Sequence, residues 1–251
     1  MYFKAMTSSI PLIGVTLDYM QGDHACYSAY PWLAIRQNYM GIVSEAGGLP
    51  VGLPPIQRKI PELLDRLSGV VITGGAFDIH PHFYNETNIH PKTVLNESRN
   101  LFEYSLLKEA WQRNMPILGI CCGAQLIAVF REGNLYQHIP DDIPQALPHE
   151  QINPAHQASH IVTLNKESLL YKITKKTQWA VNSSHHQAIR NPGRCVISAI
   201  TEDHIIEAIE DPSRDFCIGV QWHPEFAVEY ADRQIFSAFI AKAKLYEQSR
   251  P

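Results

Sequence analysis

One stretch narrows what this chain can become more than any other: Ile117-Leu-Gly-Ile-Cys-Cys-Gly-Ala-Gln-Leu-Ile-Ala-Val129. Its short apolar run, Ile117 to Ile120, reads as a buried parallel strand. The run breaks at Cys121-Cys122-Gly123 and resumes from Ala124 to Val129 as a buried helix. Gly119 and Gly123 stand two residues to either side of Cys121, the spacing of a nucleophile elbow. Such a strand-to-helix turn strains the apical residue, and its flanks must be small so that the two arms can approach. A helix starting directly behind the sulfur favours thiolate over thiol. A packing role is the competing reading, since a free cysteine often behaves as a small hydrophobe. A plain core strand, however, has no use for two glycines there.

The rest of the chain alternates strands and helices around that point. Ile10–Thr16, Leu49–Leu53 and Gly69–Thr73 read as strands. Tyr30–Ala46, Ile56–Leu67 (with Pro61 marking a later start) and Glu97–Asn114 read as helices. A loop rich in His, Pro and Asn, from Ala76 to Leu95, is long enough to suggest a function. The second half adds short strands at His160–Leu164, Gln178–Asn182, Cys195–Ile200, Ile205–Ile209 and Cys217–Gln221, with a hairpin at Glu202-Asp203-His204. Val228–Tyr246 closes the chain as a helix. The expected fold is α/β in three layers: a mostly parallel central sheet flanked by helices, with antiparallel strands added in the C-terminal half. No linker or repeat divides it, so residues 1–251 are expected to form one domain.

Composition excludes several classes. A formal net charge of −4 without a basic block argues against nucleic acid or an anionic membrane as partner. Five cysteines without a framework spacing suggest free thiols in a reducing cytoplasm. Residues 1–9 lack the apolar core of a signal peptide, and no window approaches a membrane span. Cys26, Cys195 and Cys217 are read as packing residues.

A cysteine nucleophile needs a base, and Gly219-Val-Gln-Trp-His-Pro-Glu225 offers one. His223 and Glu225 fall just past a strand, where open α/β sheets place their sites. A histidine that takes the thiol proton, steadied by a carboxylate, is the arrangement that activates such a nucleophile. A surface ion pair on a capped loop is the alternative.

With these motifs in that order, the chain resembles the class I glutamine amidotransferase-like hydrolases. More narrowly it resembles the gamma-glutamyl-gamma-aminobutyrate hydrolase group, the peptidase C26 type. The narrower likeness rests on Thr73-Gly-Gly-Ala-Phe-Asp78 with Pro81 and Tyr84, and on Arg99 with Phe102-Glu103. It rests also on Leu135-Tyr-Gln137, Val181-Asn-Ser-Ser-His-His-Gln-Ala-Ile189 and Glu207-Ala-Ile-Glu210. The resemblance implies Cys121 as nucleophile, His223 as base and Glu225 as orienting acid, with oxyanion donors near Gly75 and Cys122. Gly74, Gly75, Cys122, Gln125, Arg99, His185 and His186 are the expected substrate-binding residues. For Arg99 a solvated helix face is an equal alternative, and His185-His186 either line the pocket or hold the loop. Two departures bear on substrate contacts. Cys122 stands where the family usually has arginine, and Phe130-Arg-Glu-Gly133 where it usually has a Gly-Gly pair.

The chain has 12 histidines. His80 with His82, His185 with His186, and the set His149, His156, His160 are the candidate clusters. None shows a clear ligand spacing with Cys or carboxylate, so no metal is expected. The implied activity is hydrolysis of a gamma-glutamyl amide, such as gamma-glutamyl-4-aminobutyrate, through a gamma-glutamyl thioester and without a cofactor. The expected partner is that small-molecule substrate, with a homodimer left open. Two alternatives stand: a glutaminase subunit delivering ammonia to a separate synthetase, which the chain's end soon after His-Pro-Glu disfavours, and an inactive binding or regulatory protein on the same fold.

Overall fold

The computed structural model describes residues 10–25 and 27–250. The readings of residues 1–9 and of Cys26 lie outside them. Strand β1 (Leu12–Thr16) is followed by the small antiparallel pair β2 (Asp18–Met20) and β3 (Trp32–Ala34), then helix α1 (Gln37–Glu45). β4 (Leu49–Leu53), α2 (Ile60–Leu64), β5 (Gly69–Ile72), α3 (Glu97–Gln112), β6 (Ile117–Ile120) and α4 (Cys122–Phe130) continue the alternation. The second half contributes β7 (Asn134–Tyr136), α5 (Ile139–Asp142), β8 (His160–Leu164), α6 (Leu169–Thr174), β9 (Gln178–Val181) and β10 (Ala188–Asn191). β11 (Val196–Ile200), β12 (Ile206–Glu210), β13 (Cys217–Val220) and α7 (Tyr230–Gln248) complete it.

One eleven-stranded sheet takes strands from both halves in the order β4-β1-β5-β6-β13-β12-β11-β8-β9, with β10 and β7 branching from β12. β4, β1, β5, β6 and β13 are parallel, and the pairs beyond β13 are antiparallel. Side chains alternate across a strand, and the apolar residues of the parallel strands divide accordingly. Val71, Leu118, Ile120 and Val220 face one core with Tyr39 and Val43 of α1 and Phe236 and Phe239 of α7. Val70, Ile72 and Ile117 face the other, with Phe102 and Leu106 of α3 and Leu126 and Ile127 of α4. Burial on both faces is why these strands read as unbroken apolar runs. The three-layer α/β expectation is therefore met. No helix among the described residues is long and apolar enough to cross a membrane.

Two helices differ from the sequence reading. Tyr30–Ala46 divides into β3 and α1, because Arg36 is extended (φ −67°, ψ 135°) and begins the helix only at Gln37. Ile56–Leu67 divides into a 3-10 turn over Gln57–Lys59 and the short α2, with Pro61 in its first turn. Apolar spacing alone could not separate these pieces. The elements not read at all, β2, β7, β10, α5 and α6, are six residues or fewer.

Candidate active site

β5, β6 and β13 lie side by side and parallel, so their carboxyl ends meet at one edge. Past those ends come Thr73-Gly74-Gly75, Cys121-Cys122 and His223-Pro224-Glu225. Cys121 sits between β6 and α4 at φ 53°, ψ −111°, in the left-handed half of backbone space. A non-glycine residue there costs about 1–3 kcal/mol, which the surrounding strand and helix must hold in place. Gly123 makes the turn feasible: a Cβ at that position would lie 2.2 Å from the Ile72 carbonyl oxygen. The Cys121 N–H donates to the Val220 carbonyl at 2.8 Å, tying the elbow to β13.

His223 and Glu225 arrive on that neighbouring strand. The His223 Nδ1 lies 2.8 Å from Glu225 Oε1, and both side chains are buried. Burial alone lowers the histidine, but the Glu225 carboxylate and the Cys121 sulfur overcome it and raise the imidazole to about 10. Cys121, buried but bordering the cavity, is thus joined to a cation-favouring histidine, and that histidine to a carboxylate. The His223 backbone is clamped by Asn182: its N–H donates to Asn182 Oδ1 at 2.9 Å, and Asn182 Nδ2 donates to its carbonyl at 3.1 Å. Tyr39 reaches the same place from α1, where its hydroxyl accepts the Gly74 N–H at 3.1 Å. Burial, reinforced by Glu225, keeps that phenol well above its ordinary range and therefore neutral.

Neither Asn182 nor Tyr39 was assigned a role from the sequence. Tyr39 is separated from Gly74 by 35 residues, and Asn182 from His223 by 41. Asn182 carried one available signal, its place beside Ser-Ser-His-His in a motif already singled out.

The cavity at this edge measures about 630 Å³. Its wall includes Gly75, Cys121, Cys122, Gln125, Ser184, His185, His186 and His223, and it carries charges of both signs from Arg36, Lys92, Asp78 and Glu150. Gly75 and Cys122 bring backbone N–H groups to it that meet no protein acceptor among the described residues. The Gly74 N–H is taken by Tyr39, and Gly74 is not part of the wall. Gln125 borders the cavity, yet its amide donates to the Gln187 carbonyl and to Gln221 Oε1, both at 3.1 Å. His186 links the wall to the histidine-rich loop by approaching Asp78 at 3.1 Å, so it both lines the cavity and holds the loop. Part of that loop, Ala76 to Asp78 with Lys92 and Val94, is cavity wall.

Arg99 is neither a solvated helix residue nor part of the wall. Its side chain is 2% exposed, and its guanidinium meets Asp18, Glu103 at 3.0 Å and the Thr73 carbonyl at 2.7 Å. A Cβ on Gly75 would stand 2.0 Å from Arg99 Nη1, so the glycine leaves room for this packing. Arg99 therefore supports the Thr73–Gly75 turn from beneath. The Cys122 thiol joins it, donating to the Thr73 carbonyl at 3.2 Å. Arg131, where the sequence departs from its expected pattern, is remote: it pairs with Asp211 at 2.8 Å and lies over Trp111.

The histidine clusters regroup. His149 and His160 come together with His185 around the buried Glu207, behind the cavity wall, whereas His156 does not join them.

This architecture, with an elbow cysteine and a strand-end histidine at one edge of a mostly parallel sheet, is that of the class I glutamine amidotransferase-like proteins. Two solved structures show the same fold. A protein of Thermoplasma acidophilum described as a GMP synthase subunit superposes with a TM-score of 0.65 at 20% identity, covering 96% of this chain and 98% of that one. The glutaminase domain of Trypanosoma brucei CTPS, with bound acivicin, gives 0.61 at 16% identity, covering 94% of each. The Peptidase C26 family model matches residues 11–225, and the chain belongs to that family. It is a glutamine amidotransferase-like hydrolase. A glutamine amidotransferase-like protein of Rickettsia prowazekii is 36% identical over 93% of this chain and 98% of its own length. The gamma-glutamyl-gamma-aminobutyrate hydrolase PuuD of Escherichia coli K12 is 29% identical over 92% of each.

Proposed function

We propose that the chain hydrolyses the gamma-glutamyl amide bond of a gamma-glutamyl amine. The observation that carries this reading is the strained, cavity-facing Cys121 joined to a buried His223 that Glu225 holds at 2.8 Å. The Cys121 thiolate attacks the gamma-carbonyl carbon, and the unengaged N–H groups of Gly75 and Cys122 receive the developing oxyanion. His223, protonated by the pairing, gives its proton to the departing amine as the C–N bond breaks. A gamma-glutamyl thioester remains on Cys121. His223 then takes a proton from water, the hydroxyl adds to the thioester, and glutamate leaves with the thiolate restored. Every proton lost by water or thiol passes through one imidazole, so no cofactor enters the scheme.

The likeness to gamma-glutamyl-gamma-aminobutyrate hydrolases supports the gamma-glutamyl half as the acyl group. A wall that carries Arg36 and Lys92 as well as Asp78 and Glu150 supports a zwitterionic acyl end, since its free carboxylate and ammonium need opposite charges. The gamma-glutamyl half should be read strictly and the amine half loosely, because the amine leaves before the second step. The test is kcat/KM on the purified chain for gamma-glutamyl-4-aminobutyrate, gamma-glutamyl-putrescine, glutamine and the alpha-linked isomer. The expected order puts the gamma-glutamyl amines first and the alpha-linked isomer about 10⁴-fold lower, since its misplaced charges leave polar groups unpaired. Glutamine should be poor, because ammonia offers the amine region nothing to bind. Glutamine turning over best, and faster with a synthetase present, would favour the amidotransferase-subunit reading. No turnover on any arm would favour a binding protein.

A further inference from the structure

Behind the cavity wall, three imidazoles from separate segments converge on one carboxylate oxygen. Glu207 of β12 is fully buried, His160 opens β8, His149 lies in the connection before it, and His185 follows β9. Glu207 Oε1 lies 3.3 Å from His149 Nδ1, 3.5 Å from His160 Nε2 and 3.4 Å from His185 Nε2. The four side chains are at most 5% exposed.

These approaches are not hydrogen bonds. The three inward nitrogens and both Glu207 oxygens have no hydrogen-bond partner among the described residues. Charge-assisted N–H···O bonds run about 2.7–2.9 Å, shorter than any of the three. The outer nitrogens decide where the ring protons sit. His149 Nε2 lies 3.0 Å from Asp203 Oδ2, and His185 Nδ1 lies 2.8 Å from the Gln187 carbonyl oxygen. A carboxylate and a carbonyl only accept, so each ring places its proton outward. In the neutral forms of these two rings the inward nitrogens present bare lone pairs to the Glu207 carboxylate. A positive charge at the centre makes that arrangement favourable, either a metal ion or a proton on His149, which Glu207 and Asp203 favour against burial.

The spacing suits a metal. Tetrahedral bonds of about 2.0–2.1 Å separate ligand atoms by about 3.3–3.4 Å. The ligand atoms of His149, His160 and Glu207 all lie within 4.8 Å of one another, and His185 approaches the same oxygen. Outer contacts of the kind that orient metal ligands are already in place. Asp203, which meets His149, also accepts the Leu147 N–H at 2.8 Å and the Thr201 hydroxyl.

We propose that His149, His160 and Glu207, with His185 beside them, form a structural site for a first-row divalent transition metal, with zinc the best match. Two imidazoles and a carboxylate are N/O donors of the kind such ions take, and a shift of His185 toward them on metal binding would supply the fourth. The ion braces the cavity wall. His185 sits between Ser184, whose carbonyl lies 4.0 Å from Cys121 Sγ, and His186, which faces Asp78. The His149 carbonyl accepts both the His185 N–H at 3.0 Å and the Ser183 hydroxyl at 2.6 Å, so the ligand His149 is tied directly to the His185 backbone.

The test uses the full chain purified without a histidine tag, stripped with a chelator and then exposed to Zn²⁺ or Co²⁺. Metal content is read by elemental mass spectrometry after gel filtration. Expected are about one ion per chain, the strong visible absorption of tetrahedral Co²⁺, and a Tm that falls on stripping and recovers with Zn²⁺. His160→Gln and Glu207→Gln should each weaken binding by at least about 100-fold, while Cys121→Ala should bind as the unaltered chain does. Should Glu207→Gln fail to fold, wild-type uptake and His160→Gln decide. A folded, stripped wild-type chain that takes up neither ion, at unchanged Tm, would overturn the site. So would uptake abolished by Cys121→Ala and untouched by His160→Gln, which would move the ion to the active site.

Discussion

Cys121 and Cys122 are adjacent, but their surroundings treat the two thiols differently. Burial pushes the Cys122 thiol well up, more than the nearby Arg99 can offset, and its proton rests on the Thr73 carbonyl. Cys121 instead stands at the apex of the elbow beside His223. Iodoacetamide should therefore label Cys121 first at neutral pH. Cys121→Ala should abolish turnover, whereas Cys122→Ser should retain the chemistry, since a hydroxyl can also donate to Thr73. Peptide mapping with initial rates checks both. For the base, His223→Asn should lower kcat by about 10⁶ and Glu225→Gln by about 10⁴, the base mattering more than its orienter. Near wild-type rates in His223→Asn would turn attention to His185 or His186. The pairing also has a sign in stability. His223 is raised from an ordinary 6.5 to about 10, so its contribution is complete below pH 6.5 and lost as pH rises through about 10. Glu225→Gln removes the carboxylate that raises it, so the loss should begin at lower pH. Denaturation curves across that interval, with an NMR titration of the imidazole, measure the difference.

At the scale of elements, Arg99 shows what a linear reading cannot resolve. On α3 it looks like any charged helix residue, because the partners that define it, Asp18 and Thr73, are 81 and 26 residues away. Its role is to tie α3 to the turn after β5 through Glu103, Asp18 and the Thr73 carbonyl. Arg99→Leu would leave two carboxylates without their cation, Glu103 fully buried and Asp18 partly. It should destabilise the fold by about 3–5 kcal/mol, with lost activity tracking the folded fraction. Unchanged stability with a raised KM would instead mark Arg99 as a substrate contact. The elbow was legible for the opposite reason: β6, the turn and α4 are contiguous, and Gly123 signals the close approach to Ile72 by its identity. The His-Pro-Glu turn was legible likewise, His223 and Glu225 being two residues apart. β7 and β10 were not, since strands of three and four residues have too few positions to show a period.

Across the whole molecule, the parallel half carries the reacting groups, and the antiparallel half supplies part of the wall that faces them, Ser184 to Gln187 with Glu150. β13 joins the halves, pairing with β6 on one side and β12 on the other, so His223 follows a strand adjacent to the one that carries Glu207. The three-layer fold was readable because the central strands are apolar throughout and glycines interrupt them at the site. The convergence of His149, His160 and His185 was not, since residues 149 to 207 meet only after four strands pair. One measurement bears most directly on the account: rapid-quench mass spectrometry of the chain mixed with gamma-glutamyl-4-aminobutyrate, followed by peptide mapping. The account predicts a transient gamma-glutamyl adduct on Cys121, formed as the amine is released and lost as glutamate appears. An adduct on Cys122, or steady glutamate release from a Cys121→Ala chain, would contradict it.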